Sequence, residues 1–280
     1  MGKLLNKILA QKPGEPLPLE KKSGKYVSAK DIDEKRNAKV SAATHSTAYE
    51  AQPFRKMDTI RMQSVIDDWY SLQEGQYPMR RGTHASAILS YGKDFCFREH
   101  VLLDRYPDDV LVRVTPPALL RIFAQGTYMH MKWQALFESV KVAKYIEQPF
   151  YSEEYDLYFT PDAVIAHNNR MYVVEIKSMN TSSYSRLTGP PRFAVEQCML
   201  YMHLLGLGYG IILVEDKDKQ QYTPWVVDYN LDYVIPYLHR IKELMAAKNA
   251  SSLPPRICKS NKAKRALDCP VREICFRLEE

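Results

Sequence analysis

Residues Tyr158–Lys177 read YFTPDAVIAHNNRMYVVEIK, two apolar, β-prone runs separated by His167-Asn168-Asn169-Arg170. Asparagine tolerates positive φ, so Asn168-Asn169 suit a two-residue hairpin turn. That turn fixes the register: it sets Asp162 directly across from Glu175, with Lys177 two residues further along the same strand face. Opposed carboxylates destabilise a sheet, and burial makes the repulsion worse. Val173, Val174 and Ile176 around Glu175 argue for a buried strand. A divalent cation reverses the sign of the repulsion. The hairpin therefore predicts a metal-dependent site with a lysine beside it.

Working outward, Lys144–Lys177 is expected to be β, with one more strand before the hairpin. Helices are predicted over 57–74, 86–103, 116–142, 192–205 and 231–247, and strands over 209–215 and 221–228. Residues 178–191 (SMNTSSYSRLTGPP) read as a polar loop. The expected fold class is α/β, a mixed central sheet flanked by helices. Three regions are expected: a basic, flexible arm (1–55), a core (56–247) and a basic C-terminal segment (248–280). The arm's first 50 residues carry ten Lys/Arg against six Asp/Glu, which suits a segment that a partner orders.

The chain has 280 residues, 45% hydrophobic, enough for one substantial core. Its net charge of +6 suits a polyanion. No run approaches the roughly 18 apolar residues that read as a membrane span, and the N-terminal apolar stretch is too short and interrupted for a secretory signal. A cytoplasmic location is the expectation, and five cysteines in that compartment read as buried thiols or metal ligands rather than disulfides.

The hairpin has companions in the sequence: Gly126-Thr-Tyr-Met-His130 upstream, Pro161-Asp162 and Glu175-Ile176-Lys177 within it, and Gln197-Cys-Met-Leu-Tyr201 downstream. Gln197 and Tyr201, four apart, share a helical face. This ordered set, GxxxH, PD, ExK and QxxxY, resembles the RecB-like branch of the PD-(D/E)xK nuclease superfamily, which includes CRISPR-associated and phage RecB-like exonucleases. The resemblance implies a restriction-endonuclease-like core. It further implies that His130, Asp162 and Glu175, with the Ile176 carbonyl, ligate Mg²⁺ or Mn²⁺. Lys177 would orient or activate the attacking water and stabilise the transition state, and Gln197 and Tyr201 would position the scissile strand. Hard carboxylate oxygens suit Mg²⁺, and an imidazole ligand leans toward Mn²⁺.

The resemblance extends to the cysteines. Cluster-containing members of this branch carry one cysteine before the catalytic core and three after it, which bind a [4Fe–4S] cluster. Cys96, Cys258, Cys269 and Cys275 correspond. The departure is the ten-residue gap between Cys258 and Cys269, where the family usually has two. Four thiolates suit structural Zn²⁺ equally well, so zinc is the alternative. Cys198, inside the QxxxY helix, is expected in the core.

DNA is the expected partner. The basic residues of the tail (Arg256, Lys259, Lys262, Lys264, Arg265, Arg272, Arg277) would form an electrostatic track for its backbone. Tyr184 and Arg186 would border the channel. The implied activity is an exonuclease on single-stranded DNA or DNA ends, in phage or mobile-element recombination, with a recombination or replication protein docking the arm. The alternatives are a structure-selective or nonspecific endonuclease, and a nucleic-acid-binding or assembly protein that retains the fold.

Overall fold

The computed structural model describes residues 56–74, 82–90, 95–106 and 115–278. The described residues fall into two units, 56–66 and 67–278. The predicted arm, 1–55, lies outside the described residues, and with it the proposed docking of a partner. Helix α1 (Lys56–Glu74) is followed by β1 (Thr83–His84), α2 (Ala85–Ser90), α3 (Phe97–Arg105) and α4 (Pro117–Ser139). Strands β2 (Ala143–Ile146), β3 (Phe150–Ser152), β4 (Leu157–Phe159), β5 (Ala163–His167) and β6 (Arg170–Met179) come next. Then follow α5 (Thr181–Tyr184), α6 (Arg192–Leu205), β7 (Tyr209–Asp216), β8 (Gln221–Asp228) and a 3₁₀ turn at Leu231–Tyr233. The chain closes with α7 (Ile235–Asn249), α8 (Lys264–Leu267) and α9 (Arg272–Arg277).

The fold class is the expected mixed α/β. Five strands in the order β2-β5-β6-β7-β8 form the main sheet, with β6 and β7 parallel and the other neighbours antiparallel. A parallel pair needs a crossover, and α6 supplies it. Helix α4 covers one face: Met129 and Trp133 pack on Ala163, Ile165, Val174, Ile176 and Leu213. Helix α6 covers the other and buries most of its length, Cys198 included as expected. It lies close because β7 offers Gly210. A Cβ there would come within 2.4 Å of Cys198 Sγ and 2.8 Å of Met202 Sδ, so any larger residue pushes the helix off the sheet.

Several expectations need correction. The helix read over 86–103 is two helices, and Cys96 precedes the second in extended backbone (φ −102°, ψ 98°). The intervening sequence holds Gly92 and Asp94, both poor helix formers. Between α4 and the hairpin lie not one but three strands. Two of them, β3 and β4, leave the main sheet and pair with β1 in a separate three-stranded sheet. The polar loop 178–191 contains α5, capped by the Asn180 side chain accepting from Ser183 N at 2.8 Å. The helix from 231 begins as a 3₁₀ turn and becomes α-helical at Ile235.

The C-terminal segment has a small core of its own, in which Val271 and Ile274 pack with Leu102. The buried Arg98 donates to the Pro254 and Leu278 carbonyls at 3.0 and 3.2 Å. The tail is thus tied to α3 by the Arg98 side chain and by this apolar packing. Among the described residues no helix is long and apolar enough to cross a membrane.

Candidate active site

The turn residues Asn168 and Asn169 both adopt positive φ, 49° and 58°, and the hairpin pairs from His167↔Arg170 to Ala163↔Val174. The predicted register is the observed one. Asp162 lies one residue beyond the end of β5, level with Glu175. It is held there by its own carboxylate, whose Oδ2 accepts from Ile176 N at 2.6 Å. Its carbonyl accepts from Gln134 Nε2 at 3.1 Å. His130, on α4, brings Nδ1 to 3.3 Å from Asp162 Oδ1.

Glu175 is fully buried. Its Oε1 accepts from Lys177 Nζ, whereas Oε2 has no hydrogen-bond partner among the described residues. Burial, and then the charge of Asp162, push its carboxyl up to about 8, against the opposing pull of Lys177. Burial lowers the His130 imidazole, but the Asp162 hydrogen bond and the two carboxylate charges outweigh it and leave the group raised.

Lys177 is the hub. Besides Glu175 it donates to Gln197 Oε1 at 3.3 Å, and Gln197 Nε2 donates to Tyr201 Oη at 3.2 Å. Tyr201 is itself buried, its ring 5.8 Å from that of Phe159. The four motifs therefore converge on one place: His130, Asp162, Glu175, Lys177, Gln197 and Tyr201 form a chain of contacts at the ends of β5 and β6. Gly126 is different. A Cβ there meets nothing within 4 Å, so packing gives no reason for a glycine.

Two residues near the site carry no signal in the sequence. Glu215, on β7 in register with Ser178, is fully buried. Its Oε2 accepts from Trp133 Nε1 at 2.5 Å, and its Oε1 accepts from Lys132 Nζ. Both donors sit on α4 within a turn of His130, so Glu215 pins the helix that carries the imidazole. An acid at the end of YGIILVED reads as a strand terminus and belongs to no motif. Glu215→Ala is expected to lower stability by about 1–3 kcal/mol, because it strands the buried indole N–H. Lys132, whose side chain is 47% exposed, reaches water instead. Urea unfolding checks this, and an unchanged midpoint would mean that the indole finds another acceptor. The second residue is Phe193, on the same helix as Gln197.

The loop after β6 is fixed by Asp216, whose carboxylate accepts from Thr181 Oγ1 at 2.9 and 3.0 Å. Tyr184, expected to border a channel, is tied by its hydroxyl to Thr223 Oγ1 at 2.6 Å, and Arg186 is exposed.

Cys96, Cys258, Cys269 and Cys275 line a single pocket, with Arg256 and Arg265 in its wall. All are free thiols. Burial pushes Cys96 up, and burial with the Glu99 charge pushes Cys269 to about 12. Among the described residues, no three His, Cys, Asp or Glu side chains are gathered into a ready-made metal site, either in this pocket or around Asp162. At the carboxylates the reason is visible. Three of their four oxygens are engaged by Ile176 N, His130 and Lys177, which leaves Glu175 Oε2 alone.

No protein-family model and no curated protein matches the chain. Among solved structures, the crystal structure of SSO0001 is similar at 14% identity and a TM-score of 0.46, over 78% of this chain and 98% of that one. LHK-Exo in complex with dAMP is similar at 15% identity and a TM-score of 0.46, over 65% of this chain and 91% of that one. Another structure of LHK-Exo, described as an alkaline exonuclease from Laribacter hongkongensis, gives 13% identity and a TM-score of 0.44, over 58% and 84%. At these values the likeness says nothing about activity, and any reading of function rests on the geometry of the site.

Proposed function

We propose that the chain is a metal-dependent deoxyribonuclease, an exonuclease that hydrolyses phosphodiester bonds of single-stranded DNA or DNA ends. The observation that carries this reading is Glu175, a fully buried carboxylate level with a second one, with one oxygen unpartnered and a lysine on the other. A buried acceptor without a donor is destabilising by about 1–3 kcal/mol, and a hard divalent cation is the partner that removes the penalty. Hard carboxylate oxygens suit Mg²⁺ or Mn²⁺: Asp162, Glu175 and His130 would hold the ion once it replaced the contacts the carboxylates now make to His130 and Lys177, with the Ile176 carbonyl as the remaining protein ligand. Such an ion supplies an activated water and neutralises charge on the phosphoryl group. Lys177 donates toward the attacking oxygen and the developing negative charge. Gln197, oriented by Tyr201, holds the Lys177 ammonium in place.

We propose that the four thiols lining one pocket hold a structural group, a [4Fe–4S] cluster or, as the alternative, Zn²⁺. Binding either one displaces thiol protons, and at Cys96 and Cys269 burial raises the pKa that the ion must overcome. Iron, acid-labile sulfide and zinc measured on anaerobically purified protein distinguish the two. Cys269→Ala is expected to lower the melting temperature by about 5 °C or more and to leave metal-dependent hydrolysis comparatively intact. An unchanged melting temperature would remove the structural role.

The test of the activity is digestion of end-labelled linear and covalently closed circular single-stranded DNA with Mg²⁺, Mn²⁺ or EDTA. Loss of the linear substrate alone, abolished by EDTA, supports the exonuclease, and the setting proposed for it is phage or mobile-element recombination. Cleavage of the circle makes it an endonuclease. No cleavage by folded protein replaces the enzyme with a binding or assembly role.

A further inference from the structure

Phe193 is the second residue of α6 and is 55% exposed. An exposed phenylalanine is ordinary on a protein surface, but the position of this one is not. Phe193, Gln197 and Tyr201 are four residues apart and form one stripe along the helix. The stripe runs from solvent to core, since Phe193 is exposed, Gln197 half-buried and Tyr201 buried. Its first two members meet the same atom. Lys177 Nζ lies 3.3 Å from Gln197 Oε1 and 5.7 Å from the centre of the Phe193 ring. The solvent-exposed end of the lysine's surroundings is therefore an aromatic ring.

We propose that Phe193 is a stacking platform for an unpaired nucleobase, the base of a nucleotide whose phosphate lies at Lys177. This rests on the nuclease reading above and adds to it the state of the substrate. Lysine with carboxylates suits a phosphodiester and its metal. An aromatic face one nucleotide's reach away suits the attached base, because every base has a π-face to offer. A base inside a duplex is stacked on its neighbours and has no free face, so the ring selects a single strand or a frayed end. The ring reads no base identity. Tyr184, the aromatic residue that the sequence suggests for this role, has its hydroxyl tied to Thr223, whereas the Phe193 ring is met by the Lys177 ammonium itself.

The competing account is that the ring only shields Lys177. Leucine at 193 keeps the apolar cover but has no π-face, whereas tryptophan has a larger one. The experiment compares wild type, Phe193→Leu and Phe193→Trp on a single-stranded oligonucleotide and on the same strand with abasic sites at the reacting end. Stacking by one base is lost as roughly a 5- to 100-fold change. KM for the normal strand is expected to rise by about 10-fold in Phe193→Leu and to recover in Phe193→Trp. On the abasic strand the three proteins converge. Equal loss on both strands, or a leucine variant that behaves as wild type, overturns the platform and leaves the nuclease intact.

A second readout needs no turnover. In EDTA, a strand carrying 2-aminopurine at the end is expected to show quenched fluorescence on wild type and on Phe193→Trp, but not on Phe193→Leu. Quenching in EDTA combined with no hydrolysis by wild type in Mg²⁺ or Mn²⁺ would sink the nuclease reading and keep the platform. Absence of both sinks both.

Discussion

Glu175→Gln is expected to make the metal-free protein more stable in mildly alkaline solution while abolishing the proposed hydrolytic activity. Burial raises the Glu175 carboxyl to about 8 in the folded chain, whereas in the unfolded chain it titrates as an ordinary glutamate. The native state therefore holds a proton that the unfolded state has released. That contribution is fully present below the usual carboxylate range and is lost as pH rises through about 8, so stability falls across this window. Glutamine keeps an acceptor for Lys177 and an isosteric shape but carries no charge to be repelled by Asp162. In EDTA the variant and wild type are expected to match near pH 5. The variant should gain about 1–3 kcal/mol by pH 9, or a melting temperature higher by about 3–9 °C. Millimolar Mg²⁺ or Mn²⁺ should reverse the order, because an ion that binds only the native wild type stabilises it by mass action. A variant less stable than wild type at pH 9 without metal would mean that the Glu175 carboxylate is well paired, and the case for a cation would go with it.

The inversion would show why the sequence alone makes this site legible. Two asparagines fix a register, and the register places two carboxylates where a sheet does not tolerate them. Four short motifs add a helix on each face, and six motif residues, His130, Asp162, Glu175, Lys177, Gln197 and Tyr201, lie in the chain of contacts around Lys177. Long periodic elements are equally readable: α6 and β8 fall on their predicted residues. Elements too short for a period are not. β1 has two residues, and β3 and β4 have three each, so their departure into a second sheet leaves no pattern in the sequence. Glu215 is hidden for another reason. Its importance lies in being buried against Trp133, and a single acid at a strand end gives no warning of burial. Phe193 is hidden because its meaning depends on the direction of Lys177, which emerges only once β6 and α6 are packed. The tail is tied down more firmly than its polar composition suggests, since Arg98 satisfies carbonyls whose partners no local pattern reveals.

Lys177→Ala carries the second large effect, and it separates an enzyme from a binding protein that kept the fold. Removing one well-placed cationic donor from a phosphoryl-transfer site costs about 10²–10³ in turnover, and that loss is expected here. Part of any loss has another origin. Without Lys177, the Glu175 carboxyl loses the charge that opposes its burial, holds its proton more firmly, and competes less well for a cation at neutral pH. Saturating Mn²⁺ at alkaline pH reduces that part, and the deficit that persists belongs to the missing ammonium. Lys177→Arg should restore the charge but not the rate, since a planar guanidinium cannot take the place of a compact ammonium wedged between Glu175 and Gln197. Strand binding in EDTA should change by only a few-fold in either variant, because the phosphate contacts of a long oligonucleotide are spread over many basic residues. If turnover by Lys177→Ala equals that of wild type under all these conditions, Lys177 has no part in chemistry. Any DNA loss would then come from a contaminant, and the fold would serve binding or assembly alone.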